Sequence, residues 1–494
     1  MPLTPSLDLA ELIRLVPTLL DFVSSRCLGH LMATSTRLRQ LVQDFVTRVV
    51  MPEGTEPAKL ELVARGTWSH LRTLKLTDTQ YQLAGWPLPP GWSGLRHLDL
   101  RESMLGSTGA NQLQASALPQ LMSLDLTGTH LDAAAITYLT KAIWPNLESL
   151  SLACNQLGAE HLDQLRHGNW PNLKYLRLQI NHINSAAVAL LVTANWPKLQ
   201  ILDLGDNKLL AEGVKQLLQG RWPLLEDLCI NSNKLNMHAV RCLADHQWPM
   251  LRLLQLSQNE FDSEAILQLG NVRLPNLKAM HFSNNMALEG VSMSSLARGQ
   301  WPMLTCLTLK GNKLDAMAVQ YLCKGLWPKL EVLDLSYCVL GAAGIQQLVK
   351  GTWPLLKKLN LTCNLLDAAA ISYLVQGLWP LLSNLNLCLN ELNAASIHML
   401  VRKKMPLLEE LNLLTTYMDE AALQHLLKGD WPMLISLAIA NMCMSEATLR
   451  NICQQVLPDI CVDILTTKEA FETVCKHLWP NVTLDCTSLL KKAQ

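Results

Sequence analysis

Apolar residues along most of this chain recur in two alternating rhythms. A short Leu-x-Leu alternation is followed by a stretch whose apolar residues fall three and four apart, and the pair of rhythms returns every 26 residues. The first rhythm predicts a short strand, because successive strand side chains point to opposite faces. Its two leucines are expected to be buried and the residue between them exposed. The second predicts a short helix with one buried stripe, as in LDAAAISYLVQGL from Leu366 to Leu378. One strand and one helix cannot bury their apolar faces alone, so stacking about fifteen such units is what gives a continuous core.

The beat is marked by Trp-Pro at Trp144, Trp170, Trp196, Trp222, Trp248, Trp301, Trp327, Trp353, Trp379 and Trp431. Leu118, Leu274, Met405 and Leu457, each followed by Pro, hold the phase where Trp is absent. A Trp placed just before the strand, ahead of a Pro that donates no hydrogen bond, reads as a structural ladder rather than a ligand-binding stripe.

Within one period the motif is WPxLxxLxLxxNxL, as in WPNLESLSLACNQL from Trp144 and WPMLTCLTLKGNKL from Trp301. Its Asn recurs at Asn155, Asn181, Asn207, Asn233, Asn259, Asn312, Asn364 and Asn390. This motif resembles the leucine-rich repeat. The resemblance implies that each Asn side chain bonds the backbone of the turn leaving the strand. The expected fold class is α/β: a leucine-rich repeat solenoid, or horseshoe, of about fifteen strand–helix repeats, preceded by a small α-helical segment. The period also matches the 26-residue cysteine-containing repeat of F-box proteins, where Cys-Pro often stands at the place of Trp-Pro.

Residues 1–60 do not follow the period and form a separate helical segment in this reading, ahead of an array at 61–457 and a C-terminal cap at 458–494. From Leu15 to Val46 the apolar spacing predicts two or three short helices. LLDFV (Leu19–Val23) and CLGHLMATSTRLRQLV (Cys27–Val42) resemble the F-box, which docks on a Skp-type adaptor of cullin-RING ubiquitin ligases. The resemblance implies adaptor docking through Leu19, Leu20, Phe22, Leu28, Leu31 and Leu38. It departs from the family at Val16-Pro17-Thr18, where Leu-Pro-acidic is usual, and at Leu38, where Trp is customary. The alternative is a cap, since solenoids need a terminal unit to close the first coil. CVDIL (Cys461–Leu465) and NVTLDC (Asn481–Cys486) read as closing strands.

The residue between the two strand leucines lines the concave face, the extended binding surface of such arrays. The partner-binding candidates in this column are Asp99, Asp125, Arg177, Asp203, Gln255, His281, Asp334, Asn360, Asn386 and Asn412, interspersed with Lys75, Ser151, Cys229, Thr308 and Ala438. Tyr175, Tyr337, Lys310 and Lys358 stand beside it as further anchors. The column is polar and mildly acidic. It lacks the Lys and Arg that neutralise phosphates, so nucleic acid is not the expected partner.

Charge adds to this exclusion, because 41 basic residues balance 41 acidic ones and leave no net field toward nucleic acid or anionic membrane. The 14 cysteines lack CxxC pairs and are expected to be reduced, which places the protein in the cytosol or nucleus. Asp8, Glu11 and Arg14 interrupt the first apolar residues, so no signal peptide is expected, and no stretch reaches a membrane-spanning length. No phosphate loop, zinc pair or nucleophile elbow occurs, and neither catalysis, a metal nor a cofactor is expected.

The functional expectation is protein recognition by the concave face, as substrate receptor of an SCF-type ubiquitin ligase partnered by a Skp-type adaptor and a cullin. The alternative is a non-enzymatic scaffold or inhibitor whose N-terminal helices only cap the array.

Overall fold

The computed structural model describes residues 47–51, 70–76, 92–285, 290–414, 416, 420–426, 428–440 and 461–465. The adaptor-docking candidates Leu19, Leu20, Phe22, Leu28, Leu31 and Leu38, and the strand expected at Asn481–Cys486, lie outside the described residues. The chain divides into two units, Met1–Lys234 and Leu235–Gln494.

In the first unit, strands β1 (Arg48–Met51), β2 (Thr73–Leu76), β3 (His97–Asp99), β4 (Ser123–Asp125), β5 (Ser149–Ser151), β6 (Tyr175–Arg177), β7 (Ile201–Asp203) and β8 (Asp227–Cys229) pair in parallel in chain order. Helices α1 (Gly106–Ala115), α2 (Ala133–Lys141), α3 (Ala159–Leu165), α4 (Ser185–Leu191) and α5 (Leu210–Leu217) alternate with them from β3 onward.

The second unit repeats the plan. It contains α6 (Met237–Asp245), β9 (Leu253–Gln255), α7 (Ser263–Leu269), β10 (Ala279–His281), α8 (Gly290–Leu296), β11 (Cys306–Thr308), α9 (Ala316–Leu322), β12 (Val332–Asp334) and α10 (Gly341–Leu348). After these come β13 (Lys358–Asn360), α11 (Ala368–Leu374), β14 (Asn384–Asn386), α12 (Ala394–Arg402), β15 (Glu410–Leu413), α13 (Glu420–Leu426), β16 (Ser436–Ala440) and β17 (Cys461–Leu465). Strands β9 to β17 again pair in parallel in chain order, so CVDIL does close the described ladder as a strand.

Strand β1 lies inside the stretch 1–60 that the sequence reading set apart from the array. Arg48–Met51 pairs with Thr73–Leu76 residue for residue, and Val49 is buried, so the sheet starts before residue 61. The RVVM run carries neither the Leu-x-Leu alternation nor a Trp-Pro marker, which is why periodicity passed over it.

The most regular coils are held at three places. Before the strand, the Trp carbonyl accepts the amide three residues on, as in Leu304 N to Trp301 O at 3.0 Å, a tight turn in which Pro takes the second place. After the strand, the chain turns through a left-handed residue just ahead of the ladder Asn, as at Cys154, Ile180 and Cys363, with φ of 56°, 56° and 53°. At the start of α2, α4, α6, α7, α9, α11 and α12, an Asp or Asn side chain caps the first turn, whereas α1, α3, α5 and α10 start at Leu or Gly without one. Asp315 Oδ1 accepts from Ala318 N at 2.6 Å and Asp132 Oδ1 from Ala135 N at 2.7 Å, contacts worth about 1 kcal/mol each.

The ladder Asn joins neighbouring coils. Asn181 Nδ2 donates to the Leu152 carbonyl of the coil before and to Leu178 O of its own, while its Oδ1 accepts from Asn155 N and Leu157 N. Asn364 and Asn390 repeat the pattern in the second unit. Asn285 belongs to the same ladder, although the sequence reading omitted it: its Oδ1 accepts from Asn259 N and its Nδ2 reaches Leu256 O. At Cys338 the ladder residue is a thiol. Sγ donates to Leu309 O at 3.3 Å, but the acceptor half of the pattern is lost, and Leu314 N turns to the Cys338 backbone carbonyl.

The Trp side chains form the second core. Trp144, Trp170, Trp196, Trp301, Trp327 and Trp353 are fully buried. Trp170 stacks on Trp196 at 6.1 Å between centroids, and Trp301 on Trp327 at 6.2 Å. Glycine stands two residues ahead of most of them for a steric reason. A Cβ on Gly168, Gly325 or Gly377 would lie 2.5–2.6 Å from the ring of Trp170, Trp327 or Trp379.

Candidate functional site

The register of the sheet puts the column residues side by side. In the first unit Lys75, Asp99, Asp125, Ser151, Arg177, Asp203 and Cys229 are successive partners across β2 to β8. In the second unit Gln255, His281, Thr308, Asp334, Asn360, Asn386, Asn412 and Ala438 line up in the same way across β9 to β16.

Their exposure differs from the expectation. Arg177 is exposed, but the eleven Asp, Gln, His, Asn, Lys and Thr residues of the column are half-buried, and Ser151, Cys229 and Ala438 are buried. The acidic and amide members turn back on their own chain. Oδ1 of Asp203, Asp334, Asn360, Asn386 and Asn412 accepts the backbone amide two residues on, at 2.9–3.1 Å. Asp99 and Asp125 do the same toward Arg101 N and Thr127 N. These are Asx turns that end the strand, so part of the polarity of the column holds the turn rather than facing outward.

The acidity is locally compensated as well. Arg101 forms a fork on Asp99, with Nε at 3.0 Å from Oδ1 and Nη2 at 3.0 Å from Oδ2, and lies 3.6 Å from Asp125. The hydrogen bond to Asp99 pushes the Arg101 guanidinium above its ordinary value against a smaller opposing effect of burial. Lys75 approaches Asp99 from the other side at 3.7 Å. In the second unit His281 Nδ1 lies 3.0 Å from Thr308 Oγ1, and burial holds its imidazole below the usual histidine range, with Asp334 opposing. Cys306 pairs with Ala279 rather than with His281, and burial raises its thiol.

Beside this column, the second unit carries an apolar edge that the sequence reading did not assemble. Tyr337, Val339, Leu365 and Leu389 are 43, 53, 59 and 42 % exposed. The bonds Tyr337 N to Thr362 O and Cys363 N to Cys388 O continue the strand register into this edge, so these residues sit on adjacent coils. Lys310 Nζ lies 5.3 Å from the centre of the Tyr337 ring, a cation–π contact at the border with the polar column. Val339 has φ of 57°, a left-handed conformation that a β-branched residue adopts only under strain. Strain of this kind concentrates at functional surfaces. The other proposed anchors, Tyr175 and Lys358, occupy the first strand position, half-buried and exposed respectively.

No three His, Cys, Asp or Glu side chains among the described residues converge where a metal ion could sit. Among these residues, too, no helix is long and apolar enough to cross a membrane.

A family model described as Leucine Rich repeat matches residues 328–349, which span β12 and α10. The fold is an α/β leucine-rich repeat solenoid. No curated protein matches the chain. Among solved structures, a chain of the crystal structure of the Rad7 and Elc1 complex in yeast is similar at 15% identity over 77% of this chain and 84% of that one, with a TM-score of 0.43.

Proposed function

We propose that the chain is a recognition protein that holds a target protein against its strand-lined face, centred on the second unit. The observation that carries this reading is the apolar edge of Tyr337, Val339, Leu365 and Leu389 beside a polar column containing Asp334, Asn360 and Asn386. An apolar centre with a polar margin is the composition of protein interfaces, and contiguous exposed apolar side chains are uncommon on monomer surfaces. The chain acts by binding and catalyses nothing itself. The raised thiol of Cys306 and the Thr308-bonded His281 are unsuited to act as a nucleophile–base pair.

In the same reading the N-terminal segment couples the bound target to a Skp-type adaptor and a cullin, which makes the protein a substrate receptor of an SCF-type ubiquitin ligase acting in the cytosol or nucleus. This half rests on the F-box resemblance of Leu19–Val23 and Cys27–Val42. A second reading is favoured by β1: Arg48–Met51 joins the sheet directly, as a segment that closes the first coil would, and then the helices before it only cap a binding scaffold.

Copurification with a purified Skp-type adaptor separates the two. The ligase reading expects the full chain to retain adaptor and cullin and to lose both on Leu20→Asp or Leu31→Asp with the repeat array still folded. A folded wild-type chain that retains no adaptor would leave the scaffold reading.

A further inference from the structure

Within the second unit the Trp ladder is interrupted at Leu274 and again between Trp379 and Trp431, where Met405 takes the Trp position. Beside Met405 lies a cavity of about 430 Å³, a size typical of small-molecule sites. Its walls include Val375, Leu378, Trp379, Leu382, Met405 and Pro406. Trp379 is half-buried, whereas the other nine described Trp of Trp-Pro pairs are buried, so its ring is the one left open, on the side where Met405 replaces a Trp.

Two further features show that this coil is built differently. At two coils an indole N–H reaches back to a carbonyl of the coil before, with Trp196 Nε1 donating to Gly168 O at 3.2 Å and Trp301 Nε1 to Val272 O at 3.1 Å, whereas the indoles of Trp327 and Trp353 make no such bond. The carbonyl in the same place here, Gly377 O, instead accepts from Lys403 Nζ at 2.9 Å. Lys403 itself stands where Gly precedes Trp by two in the regular coils, and Lys404 follows it at the cavity wall. The lining therefore contains two lysines and no carboxylate.

From this we infer that the cavity is a binding site for a small planar aromatic acid. The ring lies against Trp379 in the place a ladder Trp would take, where the regular stack sets centroids 6.1–6.2 Å apart. The carboxylate faces Lys404 and the Nζ of Lys403, which meet it as charge-assisted donors. The site is separate from the strand-lined face and does not depend on the target-binding reading.

The test is calorimetric titration of the full chain with indole-3-propionate and with its neutral amide. Saturable binding of the acid is expected, with the amide weaker by about tenfold for loss of one charge-assisted contact. The variant Lys403→Gly/Met405→Trp restores the regular Gly-x-Trp-Pro sequence and fills the cavity; it is expected to abolish binding and to melt at a higher temperature. Lys404→Gln, at an exposed position, is expected to weaken the acid about tenfold and leave the amide unchanged, which keeps the proposal testable if the double variant does not fold. Absence of saturable binding to the wild-type chain, or equal binding by a folded double variant, overturns the site. Equal affinity for acid and amide overturns the assignment of an acid.

Discussion

The side-chain oxygen of Asn181 accepts the backbone amide of Asn155 at 2.9 Å, so that the ladder residue of one coil completes the turn of the coil before it. The same Oδ1 also takes Leu157 N, and Nδ2 serves Leu152 O and Leu178 O. Truncation leaves several buried backbone groups without partners. Asn181→Ala is therefore expected to destabilise the protein by about 3–5 kcal/mol, measured by denaturant unfolding, with Asn181→Asp nearly as costly because it removes the donor half.

The converse substitution exists in the chain already. The Cys338 side chain supplies the donor but no acceptor, so Asn312 N and Leu314 N turn to the backbone carbonyls of Leu309 and Cys338, and its buried thiol is pushed up to about 12, so it stays protonated and unreactive. Cys338→Asn should restore both acceptor bonds and raise stability by about 1 kcal/mol. A decrease in the unfolding midpoint would show that the coil has adapted its backbone to the thiol.

Removal of a ladder Trp should be among the most damaging single changes. Trp222→Ala is expected to cost about 3–5 kcal/mol as a core truncation. Gly325→Ala, a far smaller change, should cost about 1–3 kcal/mol because the new methyl meets the Trp327 ring. An unaltered melting curve for either would remove the steric explanation of the Gly-x-Trp spacing.

At the apolar edge, stability and binding should part company. Val339→Asn places at φ 57° a residue that tolerates the left-handed region and is expected to gain about 1 kcal/mol of stability. It also removes an exposed apolar contact and should weaken target capture, as should Leu365→Asp. Capture from lysate by the wild type and these variants, normalised to folded protein, decides whether this edge is the docking surface.

Acid should loosen the coil at β10. Burial depresses His281 below its ordinary 6.5, so the unfolded chain binds this proton more readily than the folded one. The stability contributed by neutral His281 is present above pH 6.5 and is lost as pH falls from there through the folded value. His246, likewise depressed by burial, acts in the same sense. His281→Gln is expected to flatten the drop in melting temperature between neutral pH and mild acid; an equal drop in both proteins would relieve His281 of this role.

The architecture was legible because its cause is periodic. Leucines two apart and aliphatics three and four apart are direct imprints of strand and helix geometry, and 26-residue return makes each coil confirm the next. Asn285 was legible as well, since it lies 26 residues after Asn259; the longer step of 27 comes only after it, toward Asn312. β1 escaped because RVVM carries no marker of the period. The column was placed in register by its phase, but phase cannot show that Asp203 or Asn386 turns its oxygen to its own backbone, since an Asx turn and an open polar contact look alike in sequence. The apolar edge was hidden for a related reason: Val339, Leu365 and Leu389 sit singly among turn residues, and only stacking brings them together.

The direction of the Asn bonds bears on how such a chain is made. Oδ1 of each ladder Asn accepts amides from the coil synthesised earlier, as Asn207 does from Ile183 N and Asn390 from Leu366 N. On the ribosome, then, the newest complete coil is always one hydrogen-bonded neighbour short, and its turn closes only after another period has emerged. The growing array carries an unfinished edge forward along its length, and a stop codon after any repeat would leave that edge open to whatever donor or acceptor the cell offers it.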